Sequence, residues 1–258
     1  MDFKSAPTRN VLVNITLIGK NILSLATKSL CFLKTEPPIS TTIIDFRGRE
    51  VEAIAGPYEQ DSIVTLTCVS SGGKQNHQVS DLIKSLPGNP SPEVTWWREN
   101  RMIDRSYEKT YQSVVQNTVK IGPLARKDLG TVITCLSTNN NISVPVSSRV
   151  TVDMIFAPVD VSITTMGQPL SVGISYTVTC EVAGTRPDPE ITWWLGGEKL
   201  NQDHLVDKDK DIIRSTLIFT PETGDHGMTL TCRAENPLIA DSGIEDRWTL
   251  AVYCKWNI

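Results

Sequence analysis

Six cysteines are the residues of this 258-residue chain best equipped for covalent chemistry: Cys31, Cys68, Cys135, Cys180, Cys232 and Cys254. Thiols act as nucleophiles, as metal ligands or as disulfide partners. None of the six forms a CxxC pair, and His77, His204 and His226 sit in unrelated contexts. The ligand spacing of a structural zinc site is therefore missing. So are a Gly-x-Ser-x-Gly elbow and a phosphate-cradling glycine loop. The expectation is a non-enzyme with no catalytic, cofactor or metal site. Widely spaced cysteines fit long-range disulfides, which form in an oxidising compartment.

Bulk properties narrow the classes further. The formal charge is −4 and 40% of residues are hydrophobic. Real cores are possible, and there is no global cationic field for nucleic acid. No apolar run reaches the length of a membrane span. The opening MDFKSAPTRN has none of the basic, apolar and small-residue pattern of a secretory leader.

The elements that must position the cysteines are repeated. EVTWW at 93–97 returns as EITWW at 190–194, and VITC ending at Cys135 returns as TLTC ending at Cys232; both pairs share an offset of 97. Upstream, VTLTC ends at Cys68 and TVTC at Cys180, an offset of 112. The difference is one insertion, KQNHQVSDLIKSLPG, at 74–88. Two homologous units follow. Each reads as short alternating strands separated by turn residues. One face carries Val64, Leu66 and Cys68, then Val94 and Trp96, then Val119 and Ile121. The second unit repeats it with Tyr176, Val178 and Cys180, then Ile191 and Trp193, Leu217 and Phe219, and Leu230 and Cys232.

Such strands bury one face against a second sheet, so each unit is expected to be a β-sandwich. Inward cysteines on opposed strands suit the pairs Cys68–Cys135 and Cys180–Cys232. Trp96 and Trp193 face inward between them, in the Cys…Trp…Cys order of immunoglobulin-like domains. The rival is a β protein with free buried cysteines. Asp128-Leu-Gly and Asp225-His-Gly read as sharp turns into the cysteine strands rather than as metal ligands. The tyrosine that usually stands two residues before the second cysteine is replaced by Ile133 and Leu230. Asn14-Ile-Thr and Asn141-Ile-Ser are glycosylation sequons. Trp97 and Trp194 should point away from the cores; they are interface candidates, against the reading that each packs under its own loops.

The stretches AGPYEQDSIVTLTC (55–68), PEVTWWRENRMID (92–104), QNTVKIGPLARKDLGTVITCLSTNNN (116–141), PEITWW, STLIFTP and CRAENPL (232–238) resemble the Sidestep family of arthropod neuronal cell-surface immunoglobulin proteins. GPLARKDLG and CRAENPL are more specific than a generic immunoglobulin pattern. The fold class expected is all-β, tandem immunoglobulin-like β-sandwiches preceded by a remnant hairpin of an upstream immunoglobulin-like domain. The division expected is 1–18 for that hairpin and 19–51 for an irregular segment and linker. One immunoglobulin-like domain then covers 52–155 with its insertion, and another covers 156–254. Residues 19–36, the insertion and the ending after Val252 depart from the family pattern. With no leader sequence, they point to a fragment or an interrupted coding sequence, or else to an isoform with altered loops. Cys31 and Cys254 fall in these departures and are left unpaired. Val79, Leu82, Ile83 and Leu86 of the insertion would share one side of a short helical turn.

The resemblance implies an extracellular recognition and adhesion module acting in axon guidance. Its implied partners are cell-surface immunoglobulin proteins of the Beaten path type, and its parent protein would be membrane-anchored. The alternative is a structural adhesion or spacer module of a nephrin- or hemicentin-type family. Ala157-Pro158 at the joint limits the backbone and predicts a stiff, end-to-end pair. Secreted from a eukaryotic cell, the chain should show two disulfides by intact mass before and after reduction, and a glycan lost on Asn141→Gln. Accumulation as reduced, insoluble protein would contradict the extracellular reading.

Overall fold

Alternation along the sequence becomes alternation of burial. In Val64–Gly72 the side chains of Val64, Leu66, Cys68 and Ser70 are buried and their neighbours are not. Tyr176–Ala183, Ile212–Phe219 and Thr229–Glu235 repeat the pattern. A computed structural model describes residues 37–72, 91–110, 114–141, 143–165, 167–201 and 204–254. The expected hairpin at 1–18, residues 19–36 with Cys31, Asn14 and the insertion at 74–88 lie outside the described residues.

The first sandwich comprises β1 (Pro38–Asp45), β2 (Ile54–Glu59), β3 (Val64–Gly72), β4 (Glu93–Arg98) and β5 (Arg101–Asp104). It continues with β6 (Glu108–Lys109), β7 (Val115–Ile121), β8 (Val132–Thr138) and β9 (Val146–Ile155). One sheet runs β1-β3-β7-β6 and the other β2-β9-β8-β4-β5. The second sandwich comprises β10 (Asp160–Ile163), β11 (Leu170–Ser171), β12 (Tyr176–Ala183), β13 (Glu190–Leu195) and β14 (Glu198–Lys199). Then follow β15 (His204–Asp209), β16 (Ile212–Phe219), β17 (Thr229–Glu235), β18 (Ile244–Thr249) and β19 (Val252–Tyr253). Its sheets run β10-β12-β16-β15 and β14-β13-β17-β18, with β11 and β19 as a separate parallel pair. The fold is all-β and immunoglobulin-like in both units.

One boundary is corrected. The expectation left 19–51 as irregular segment and linker, but Pro38–Asp45 is a strand of the first sandwich, antiparallel to β3 with Ile43 opposite Cys68. The paired prolines read as a linker, and a register shift between Pro38 and Ser40 breaks the alternation.

Each core is built on a cross-sheet disulfide. Cys68 joins Cys135 and Cys180 joins Cys232, with Cα atoms 6.1 and 6.5 Å apart. Closing loops of this length stabilises a fold by about 4 kcal/mol. Trp96 and Trp193 are buried beside them. Each indole N–H needs an acceptor there. Trp96 Nε1 donates to the Asn117 carbonyl at 3.0 Å and Trp193 Nε1 to Ser215 Oγ at 2.9 Å. Ile133 and Leu230 are fully buried in the tyrosine positions. A tyrosine hydroxyl is used elsewhere: Tyr176 accepts the Ser171 N–H at 2.8 Å.

The two Asp-x-Gly turns end short 3-10 helices, Arg126–Asp128 and Thr223–Asp225. Asp128 is buried, accepts the Ala125 N–H at 2.8 Å and pairs with the Arg98 guanidinium. In the second unit Leu195 stands where Arg98 stands, and Asp225 accepts the Glu222 N–H at 2.7 Å. Burial works to raise the Asp128 pKa, but the Ala125 N–H and the Arg98 guanidinium outweigh it and hold the carboxyl below its ordinary value. A depressed folded pKa gives stability that is complete above the unfolded value of about 3.9 and lost as pH falls through the folded value. The expected result is an acid-sensitive first sandwich. Asp128→Asn should cost it about 2 kcal/mol at neutral pH and flatten its stability against pH below about pH 4, read by chemical denaturation across a pH series.

Candidate functional site

The expected recognition surface, Trp97 and Trp194, lies on the outward sheet faces. On the first sandwich, Trp97 of β4 lies opposite Met102 of β5 on one side and Thr134 of β8 on the other, and Thr134 lies opposite Arg149 of β9. These four side chains form one row across the sheet. Met102 and Arg149 are exposed and Trp97 is half-buried. Its indole N–H donates to Thr95 Oγ1 at 2.9 Å, which lays the ring back along its own strand. Ile103 and Tyr107 are exposed beyond β4, and Arg105 pairs with Glu93 at 2.9 Å. The face is apolar at its centre and charged at its edge, the anatomy of a protein–protein contact.

The second sandwich keeps the geometry and changes the chemistry. Trp194 lies between Lys199 and Thr231, and Thr231 lies opposite Arg247. Trp194 Nε1 donates to Thr192 Oγ1 at 3.0 Å. A groove of about 330 Å³ is lined by Trp194, Thr231, Arg233, Glu245 and Arg247 among others. Arg247 pairs with Glu245 and Arg233 with Glu235, so this face is ionic where the first is apolar. Both outer tryptophans therefore lie flat on their sheets.

The remaining candidates are scattered. Asn141 is exposed in the loop between β8 and β9, beside a concavity lined by Glu93, Tyr107 and Asn139. Cys254 carries a free, exposed thiol. His226 Nδ1 lies 3.2 Å from the Val252 N–H, a backbone contact that ties the lower turn of the second sandwich to β19. Among the described residues no cluster of His, Cys, Asp and Glu could hold a metal ion, and no helix is long and apolar enough to cross a membrane.

The best-organised polar cluster is at the domain joint, which sequence reasoning reduced to Ala157-Pro158. Phe156, just past β9, exchanges backbone hydrogen bonds with Arg186 at 2.8 and 3.2 Å. Asn236 is buried, and its amide donates to the Phe156 carbonyl at 2.8 Å and the Arg186 carbonyl at 2.7 Å. Arg186 in turn donates to the Met154 carbonyl at 3.1 Å and to Asp153 at 2.8 Å. From the first sandwich, Arg126 donates to the Gly184 carbonyl, to the Ala157 carbonyl at 2.8 Å and to Gln60 at 3.0 Å. Its guanidinium carbon stands 4.5 Å from the centre of the Phe156 ring, a cation–π contact. The signal was in the sequence. Arg126 belongs to GPLARKDLG and Asn236 to CRAENPL, the two stretches that exceed a generic immunoglobulin pattern.

Residues 158–242 match the CD80-like C2-set immunoglobulin domain. The chain is similar to nephrin of Rattus norvegicus, 25% identical over 170 residues that cover 64% of this chain and 13% of nephrin. It is 37% identical to Kin of IRRE-like protein 2 of Mus musculus over 73 residues, 26% of this chain and 10% of that protein. Lachesin of Drosophila melanogaster is 30% identical over 156 residues, 58% of this chain and 41% of lachesin. The chain thus spans less than half the length of these relatives. Among solved structures, Rst D1-D2 shares the fold with a TM-score of 0.55 at 16% identity, over 82% of this chain and all of that one. An I-band fragment of titin does so with a TM-score of 0.51 at 14% identity, over 83% of this chain and 66% of that one. The homologues are cell-surface proteins of the immunoglobulin superfamily, of adhesion type.

Asn236→Ala leaves two carbonyls without their buried donor and should destabilise the second sandwich by about 2 kcal/mol, seen as a lowered thermal midpoint. Arg126→Ala should leave both midpoints nearly in place and loosen the pair, seen as a broadened distance distribution in small-angle scattering.

Proposed function

We propose that this pair of domains is an extracellular recognition and adhesion module that binds another cell-surface immunoglobulin protein through the outer face of the β2-β9-β8-β4-β5 sheet. The observation that carries this is the row Met102, Trp97, Thr134 and Arg149. It offers a flat aromatic anchor already held by Thr95, with an exposed methionine beside it and a cation at the far edge. Anchors of this kind contribute most of the energy in protein interfaces. Two buried disulfides suit the oxidising side of a membrane, and the adhesion-type relatives support the same placement. Modest monomer affinity suffices, because many copies on apposed membranes act together.

The finer reading is a Sidestep-like protein acting in axon guidance, with partners of the Beaten path type. It is supported by GPLARKDLG and CRAENPL, whose arginine and asparagine hold the domain joint together. The nephrin match over 170 residues favours a second reading, a spacer that sets distance between other domains. Multimerised on beads and offered to cells displaying single immunoglobulin-superfamily ectodomains, the chain should select a partner. Trp97→Ala and Met102→Glu should each weaken that binding about tenfold or more, and Trp194→Ala should change it little. Binding that ignores both first-sandwich substitutions, or no binding to any member of the panel, would favour the spacer.

A further inference from the structure

The row Trp97, Thr134 and Arg149 of the first sandwich recurs in the second as Trp194, Thr231 and Arg247. What surrounds the row differs. Lys199 stands where Met102 stands, Arg233 where Leu136 stands, and Glu245 where Ser147 stands. Only the second platform is ringed by charge, and it borders the groove of about 330 Å³. The groups of that ring are held in place. Trp194 is half-buried and its N–H is spent on Thr192 Oγ1 at 3.0 Å, so the indole offers a π-face rather than a donor. Arg247 gives Nε and Nη2 to one oxygen of Glu245, which leaves Arg247 Nη1 and Glu245 Oε2 unused by the pair. The Arg233 guanidinium lies against Gly243: a Cβ there would come within 2.6 Å of Nη2, 2.9 Å of Cζ and 3.0 Å of Nε. Each of the three cations has a carboxylate beside it: Lys199 with Glu190 at 3.9 Å, Arg233 with Glu235 at 3.1 Å, and Arg247 with Glu245. The formal charges of the six cancel.

We propose that this groove binds a neutral pyranose sugar of a cell-surface glycan. A pyranose has two kinds of surface: C–H groups on the face of its ring, and hydroxyls around its rim that both donate and accept. The exposed face of Trp194 takes the first. The fixed guanidinium groups and the Glu245 carboxylate take neighbouring hydroxyls, few and placed as in other small-molecule sites. Charge selects the class of sugar. A face whose ion pairs cancel draws neither anions nor cations as a whole, so a sulfated or sialylated sugar gains nothing over a neutral one. The position of the charges also separates this face from a protein contact. Protein interfaces deplete charge at their centre, whereas Arg233, Glu245 and Arg247 share the groove with the central tryptophan. The first sandwich, with its apolar centre and charged edge, has the opposite arrangement. The sugar site is separate from the face assigned to a protein partner, so either reading can fail alone.

The test titrates the full chain, nitrogen-labelled at tryptophan, with the methyl glycosides of glucose, galactose, mannose and N-acetylglucosamine. Sialyllactose and a heparin disaccharide are titrated separately. At least one neutral glycoside should shift the Trp194 indole resonance at about millimolar concentration and show saturation transfer to its ring C–H protons. Trp194→Ala should abolish the transfer. Trp97→Ala should leave it unchanged, because Trp97 has the platform without the ring of polar groups. Gly243→Ala keeps every lining residue and displaces only Arg233; it should weaken binding severalfold. Silence from all four neutral glycosides, tighter binding of either acidic sugar, or transfer that survives Trp194→Ala overturns the proposal. If Trp194→Ala folds poorly, Arg247→Ala carries the same test, and binding that it leaves at full strength counts against the site.

Discussion

The ion pair between Arg98 and Asp128 connects the outer sheet face of the first sandwich to the domain joint. Arg98 ends β4, next to Trp97, whose ring forms the centre of the outer face. Asp128 ends the turn that begins with Arg126, the side chain that reaches across the joint. A buried carboxylate is costly unless paired and hydrogen-bonded, and Asp128 has both the guanidinium and the Ala125 N–H. The pair therefore fixes the pitch of the turn, and the turn aims Arg126 at the Gly184 and Ala157 carbonyls. The second sandwich shows the arrangement without this pair. With Leu195 in place of Arg98 and Thr223 in place of Arg126, its lower turn is closed by backbone bonds and by His226 against Val252.

The joint is built from carbonyl oxygens. Phe156, Ala157, Gly184 and Arg186 all present backbone acceptors, and Arg126 and Asn236 supply the donors. Backbone acceptors do not depend on side-chain identity, so the junction is specified by the few side chains that donate to them, Arg126 and Asn236 together with Arg186. The surface groove beside it, about 920 Å³, carries two ion pairs, Arg186 with Asp153 and Lys208 with Asp188.

What the sequence made legible was whatever depends on period two. Val64, Leu66 and Cys68, or Leu230 and Cys232, announce their face because each strand has one buried side and one exposed side. The tryptophan pair splits the same way. The sequence of β1 reads as linker because prolines usually interrupt strands, and in the structure its start is bulged and only part of it is buried. The joint was legible as unusual sequence but not as geometry. Nothing in the residue types says that an arginine five residues past the end of β7, and an asparagine four after a cysteine, meet at the same few carbonyls. Such meetings depend on register between units, which local pattern does not encode. The posture of Trp97 and Trp194 was also out of reach. Their N–H groups turn back to the threonine two residues earlier, a bond available only once the strand is formed.

The parallel pairings carry a mechanical consequence. β2 runs beside β9, and β11 beside β19, near the points where the chain leaves each sandwich. Tension along the chain would load these pairs lengthwise, so that their hydrogen bonds must break together rather than one at a time. The first sandwich opposes that load with the six-residue strand Ile54–Glu59, the second with the two residues Leu170–Ser171. Stretched end to end, the pair would yield first at its second sandwich. The disulfide from Cys180 to Cys232 would then halt the extension while the first sandwich stays folded.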